Sequence, residues 1–120
     1  FNWGHIQLMI FKTLLPSIGF AIFGFLPLAS GQVVATITDF AWLGTRIIQG
    51  SGLTVQSLLE GSENPHFVDA SPSFVVKASR AKLIAFVGLD LEIGWLDRVI
   101  SRSGNAQLQR GAPGSCDVSQ

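Results

Sequence analysis

The hydrophobic pattern of this chain changes once, near residue 30. From 13 to 29 almost every position is apolar or small and no polar face exists; from 33 onward apolar positions recur at the spacings of strands and helices. Residues 33–38, Val-Val-Ala-Thr-Ile-Thr, are rich in β-branched side chains and predict a buried strand. Thr38 or Asp39 can cap a helix after it. Phe40, Leu43, Ile47 and Ile48 then recur at helical spacing to about 49, with Gly50 as the stop and Arg46 in the last turn, where it suits the helix dipole. Residues 53–58 alternate and predict a second strand. Strand, helix and strand with short connections form a βαβ unit, so these two strands should be parallel neighbours.

A loop over 60–70 comes next. Ser71 is a good N-cap and Pro72 a good first helical residue, so 72–81 predict a helix with Phe74, Val75 and Ala78 on its inner side. The apolar run Leu83-Ile84-Ala85-Phe86-Val87 suits a strand buried on both faces of a parallel sheet. Residues 88–92 connect it to a last helix over 93–101, in which Trp95, Leu96, Val99 and Ile100 share a face. Beyond Ser103 the pattern fades, and no closing element is expected. The order β-α-β-α-β-α is half of a doubly wound α/β domain, an incomplete Rossmann-like lobe with a parallel sheet.

The apolar leader reads differently. Lys12 is the only charge before Asp39. It precedes the apolar run, and Ala29-Ser30-Gly31 place small residues before Gln32. A positive start, an apolar stretch and a small-residue cleavage site describe a hydrophobic signal helix of a secreted or periplasmic protein. The rival is an uncleaved transmembrane anchor, which needs about 20 apolar residues; Pro16 and Pro27 interrupt this shorter run. Met9 is the only methionine and stands where such a leader should begin, so 1–8, with Trp3 and His5, read as upstream sequence. The expected division is 1–31 as upstream residues plus signal peptide and 32–120 as one lobe.

Composition narrows the function. Net charge is zero and no basic patch stands out, which disfavours nucleic acid. A single cysteine, Cys116, excludes an internal disulfide and a Cys-rich zinc site. No nucleophile elbow, phosphate loop or dinucleotide fingerprint is present, so an enzyme is not expected. Asp90 and Glu92 alternate beside a strand end, where acids are usually solvated or capping. The stretch Asn64-Pro65-His66-Phe67-Val68-Asp69 stands apart. His66 lies in a loop after a strand, at the edge where open α/β folds place ligands, and neutral imidazole is a common ligand for zinc and its neighbours. Pro65 stiffens the approach to it. Asp69 is close enough in sequence to accept the imidazole N–H, to be a further ligand, or to cap the next helix. The bland alternative is a loop histidine whose ring bonds to nearby backbone.

Taken together, Glu63 to Asp69, Ser71-Pro72-Ser73, Ala81 before an apolar strand, and Gly88-Leu89-Asp90-Leu91-Glu92 with Gly94-Trp95-Leu96 resemble the zinc/manganese solute-binding proteins of bacterial ABC importers. The resemblance runs from about 33 to 120. It implies a two-lobed protein that captures Zn²⁺ or Mn²⁺ outside the cytoplasm and delivers it to an ABC permease in the membrane. The first metal ligand of that family falls on His66, and the segment from Gly88 to Trp95 is a structural mark. The resemblance also implies that this chain holds the N-terminal lobe only, a fragment whose other ligands lie elsewhere. Metal binding by it should then be weak, since such sites usually use about four donors. The alternative function is a membrane-anchored α/β interaction domain without a metal.

Overall fold

The computed structural model describes residues 31–120. The signal helix, Met9 and His5 lie outside these residues. Among the described residues, no helix is long and apolar enough to cross a membrane. The elements run β1 (Gly31–Ala35), α1 (Thr38–Ile47), β2 (Leu53–Ser57), α2 (Pro72–Arg80), β3 (Ala81–Phe86), α3 (Leu96–Ser103), a 3-10 turn at Ala106–Leu108, and β4 (Ser115–Asp117). The sheet is parallel throughout, in the order β2-β1-β3-β4. The chain therefore steps from β1 to one side for β2, then crosses to the other side for β3. That reversal opens a crevice between the carboxyl ends of β1 and β3.

All six predicted elements are present, and the predicted parallel pairing of β1 with β2 holds, with Val33 opposite Val55. A fourth strand, β4, corrects the expectation that nothing closes the domain after Ser103. Its three residues, Ser-Cys-Asp, have no apolar periodicity of their own. They become a strand because β3 pairs with them: Ile84 N–H donates to the Gly114 carbonyl at 2.8 Å, and Val118 N–H to that of Phe86 at 3.0 Å. Gly114 permits this approach. A Cβ there would sit 2.5 Å from the Lys82 carbonyl oxygen and 2.7 Å from that of Gln107, both backbone atoms that cannot move aside.

The core lies on one side of the sheet. Val34, Ile84 and Phe86 pack under α2 and α3, which supply Phe74, Ala78, Leu96, Val99 and Ile100; Trp95, just before α3, is fully buried among them. The other face is only partly covered. There α1 lies over β2, with Gly44 close to Val55, and has no buried residue. In the same row Val33, Val55 and Leu83 are half-buried. The burial expected on both faces of β3 is thus complete on the α2/α3 side only.

Helix ends follow local chemistry in part. Ser71 Oγ accepts the Phe74 N–H at 3.4 Å and Pro72 opens α2, as the sequence predicts. At α1 neither Thr38 nor Asp39 is the cap: the N-cap is Ile37, which offers no side-chain bond. β1 ends at Ala35 and the helix begins three residues later, because the intervening Thr36 is buried with its hydroxyl committed to Glu92. The C-terminus of α2 runs directly into β3. Asn105 resolves that junction by donating from Nδ2 to the carbonyls of Ala78 (3.0 Å) and Ala81 (2.7 Å). Asn105→Ala should therefore cost about 2 kcal/mol, a fall of roughly 10 °C in Tm by thermal unfolding. An unchanged Tm would show that water serves those carbonyls equally well.

Candidate metal-binding loop

The loop between β2 and α2 leaves the carboxyl edge of the sheet and carries His66. Its shape is local in origin. Asn64 Oδ1 accepts the His66 N–H at 3.0 Å, and the Asn64 carbonyl accepts the Phe67 N–H at 3.0 Å. Asparagine closing a turn on the residue two positions ahead is a common device, and Pro65 between them fixes its own φ. The loop is then tied to the core by one side chain: Trp95 Nε1–H donates to the Pro65 carbonyl at 2.7 Å.

The His66 side chain is exposed, and among the described residues no hydrogen bond engages its ring. Its nearest aromatic neighbour is Phe67, with ring centroids 6.2 Å apart; Phe67 is itself 86% exposed. Asp69 does not bond to His66, and the helix cap goes to Ser71, so neither of those sequence-based roles for Asp69 is realised. Asp69 instead lines a shallow hollow beside the loop with Glu60, Glu63, Asn64 and Lys77, into which His66 does not reach. Lys77 Nζ donates to the Ser57 carbonyl at 2.9 Å, at the end of β2. Among the described residues, no three His, Cys, Asp or Glu side chains converge to hold a metal ion. Cys116 is exposed on β4 and unpaired.

Glu92 was expected to be solvated or capping. It is 2% exposed, and this burial is a correction to the sequence reading. Its Oε1 accepts from Thr36 Oγ1 at 2.7 Å and from the Val87 N–H at 2.8 Å, and its Oε2 accepts from the Gly88 N–H at 3.2 Å. One carboxylate thereby joins the end of β1 to the end of β3 at the crevice. The turn that returns Glu92 to this position is left-handed: Gly88, Leu89 and Asp90 have φ of 79°, 51° and 64°, and the Gly88 carbonyl accepts the Leu91 N–H at 3.1 Å. Positive φ at a bulky residue such as Leu89 is uncommon and carries strain. Further along the same edge, the Ser119 hydroxyl donates to Asp117, followed by the Ser119 backbone N–H, and these bonds hold its carboxyl below the usual carboxylate range. The contribution of Asp117 to stability is present above its unfolded pKa and is lost as pH falls through the lowered folded value.

Residues 33–117 match the family model described as zinc-uptake complex component A, periplasmic. The chain belongs to this family. Its members are periplasmic solute-binding proteins, not enzymes. The chain is similar to the periplasmic zinc-binding protein TroA from Treponema pallidum, at 28% identity and a TM-score of 0.56, covering 65% of this chain and 27% of that one. Two structures below 25% identity share the fold. The crystal structure of ZnuA is 22% identical with a TM-score of 0.55, over 64% of this chain and 30% of that one. The Mn-bound periplasmic metal-binding protein from Candidatus Liberibacter asiaticus is 21% identical with a TM-score of 0.53, over 62% and 26%. The chain thus spans 26% to 30% of the length of these three structures. No curated protein matches it.

Two features of the site escaped sequence reasoning: the buried bonding of Glu92 and the indole bond of Trp95. Both fall in the segment from Gly88 to Trp95, whose sequence resemblance marked it as structural. The bonding partners, Thr36 and Pro65, are distant in the chain, and no local pattern points to them.

Proposed function

We propose that this chain is the N-terminal lobe of the extracytoplasmic metal-binding component of an ABC importer for Zn²⁺ or Mn²⁺, with His66 as its metal donor. Within residues 1–31 the signal peptide that starts at Met9 would direct export, 32–120 would form the lobe, and the partner would be an ABC permease. The observation that carries this reading is the setting of His66: an exposed imidazole without hydrogen bonds among the described residues, on a braced turn at the carboxyl edge of a parallel sheet. Family membership and the zinc- and manganese-binding proteins among the similar structures support it.

The metal is cargo. His66 would bind it through a neutral ring nitrogen, with further donors contributed from outside residues 31–120. A lone imidazole holds a cation weakly and releases it readily, because a full site uses about four donors. Proton and metal compete for the same lone pair, so binding should fall as pH is lowered. Zinc titration of the whole chain should give weak binding, with a Kd on the order of millimolar rather than micromolar. His66→Ala should weaken it about threefold or more, any remainder falling to His5 and the exposed Cys116 thiol, without altering Tm by more than about 2 °C, because an exposed side chain contributes little to the fold. Undiminished zinc binding by His66→Ala would remove His66 from the role. Micromolar one-to-one binding by the parent would overturn the single-donor reading.

A further inference from the structure

We infer that Trp95 is a positioning residue for metal capture, acting through the Pro65–His66 peptide. This rests on the reading of His66 as the metal donor. The peptide unit joining Pro65 to His66 has two polar atoms, and both are taken. Its carbonyl accepts from Trp95 Nε1–H at 2.7 Å, and its N–H donates to Asn64 Oδ1 at 3.0 Å. A peptide plane bonded on both edges cannot swing about the axis through its flanking α-carbons. The plane fixes the N–Cα bond of His66, and the next peptide is held by the Phe67 N–H to the Asn64 carbonyl at 3.0 Å, so the Cα–Cβ bond of His66 leaves the backbone in a fixed direction.

The two restraints differ in kind. Asn64 is exposed and belongs to the loop itself; alone it would fix the turn but leave it free to move as a body. Trp95 is completely buried, its ring 5.6 Å from that of Phe74 at a tilt of 52°. Its backbone N–H donates to the Glu92 carbonyl at 3.2 Å, which connects it to the carboxylate that joins β1 and β3. The indole carries the rigidity of the core to an otherwise exposed loop. The backbone of His66 also lies against this segment, since a Cβ on Gly94 would be 3.8 Å from the His66 carbonyl oxygen. A buried tryptophan needs a partner for its N–H; here the partner is the carbonyl immediately before the proposed ligand. A donor held in place before binding loses less entropy on binding.

The test uses the whole chain, Co²⁺ as the probe, and NMR of the indole, imidazole and phenyl groups. In the parent, Co²⁺ should perturb the His66 ring and the Trp95 Nε1–H signal strongly, and that of Trp42, on exposed α1, weakly. Trp95→Phe keeps the ring but removes the donor, and should cut the shifts that bound Co²⁺ induces in the Phe67 and Phe74 signals by about twofold or more, because the ion then moves relative to the core. Val99→Ala, a core change elsewhere in α3, should leave those shifts close to the parent even at an equal loss of Tm. Binding insensitive to His66→Ala would defeat the metal-donor reading itself. Binding that depends on His66, with Co²⁺-induced shifts unchanged in Trp95→Phe, would overturn this inference alone. Should Trp95→Phe fail to fold, the parent decides: a Trp95 indole N–H that exchanges as fast as that of Trp42, or that is blind to bound Co²⁺, overturns it.

Discussion

Glu92→Ala is expected to destabilise the described domain by about 4 kcal/mol, the largest loss of any single substitution considered. The carboxylate is 2% exposed and accepts three hydrogen bonds, from the Thr36 hydroxyl and from the Val87 and Gly88 N–H groups. Thr36 and Gly88 are themselves buried, so alanine leaves donors that water does not readily reach, each costing about 1–3 kcal/mol. A domain of this size has only about 5–10 kcal/mol in all, so the variant should be close to unfolding at 37 °C. Glu92→Gln is the informative control. Its carbonyl can replace Oε1 for Thr36 and Val87, but its NH₂ then faces the Gly88 N–H, so a loss of about 2 kcal/mol is expected. Urea unfolding at constant m-value measures both. A cost below about 1 kcal/mol for Glu92→Ala would mean that the carboxylate is hydrated in solution, contrary to its burial here.

Gly88→Ala should cost about 3 kcal/mol for two separable reasons. Its φ of 79° is a conformation that carries a penalty of about 1–2 kcal/mol for an L-residue. A Cβ would also lie 2.1 Å from Asp117 Oδ1 and 2.6 Å from Ser119 Oγ. Those side chains can move only by breaking their mutual bonds, at 2.7 Å between hydroxyl and carboxylate and 3.0 Å from the Ser119 N–H. Gly104 isolates the first term: its φ is 65°, and nothing lies within 4 Å of an added Cβ. Gly104→Ala should therefore cost only about 1 kcal/mol. In Tm, the pair should differ by roughly 10 °C. Equal losses would show that the turn after β4 does not pack on Gly88.

The candidate site was legible in the sequence to different depths. Asn64-Pro65-His66 could be read locally, because a turn closed by asparagine and stiffened by proline is set within a few residues. Ser71 and Pro72 were equally readable at the start of α2. Asp69 could not be placed, because its role depends on where the loop settles. Glu92 is illegible locally for the same reason. An acid at a strand end is usually solvated, and only the left-handed turn at Gly88, Leu89 and Asp90 folds it back into the crevice.

The succession from β1 to α3, the parallel pairing of β1 with β2, and the inner faces of α2 and α3 were legible without the fold. Those arise from periodicity and short connections, which act over neighbouring residues. β4, the burial of Glu92 and the bond from Trp95 to the peptide before His66 came from the fold alone. Each depends on a partner distant in the chain: β3 for Ser115–Asp117, Thr36 for Glu92, and Pro65, thirty residues earlier, for the indole. A hydrogen bond across such a separation leaves no periodic trace, because it is specified by where two elements meet and not by the residues beside either end.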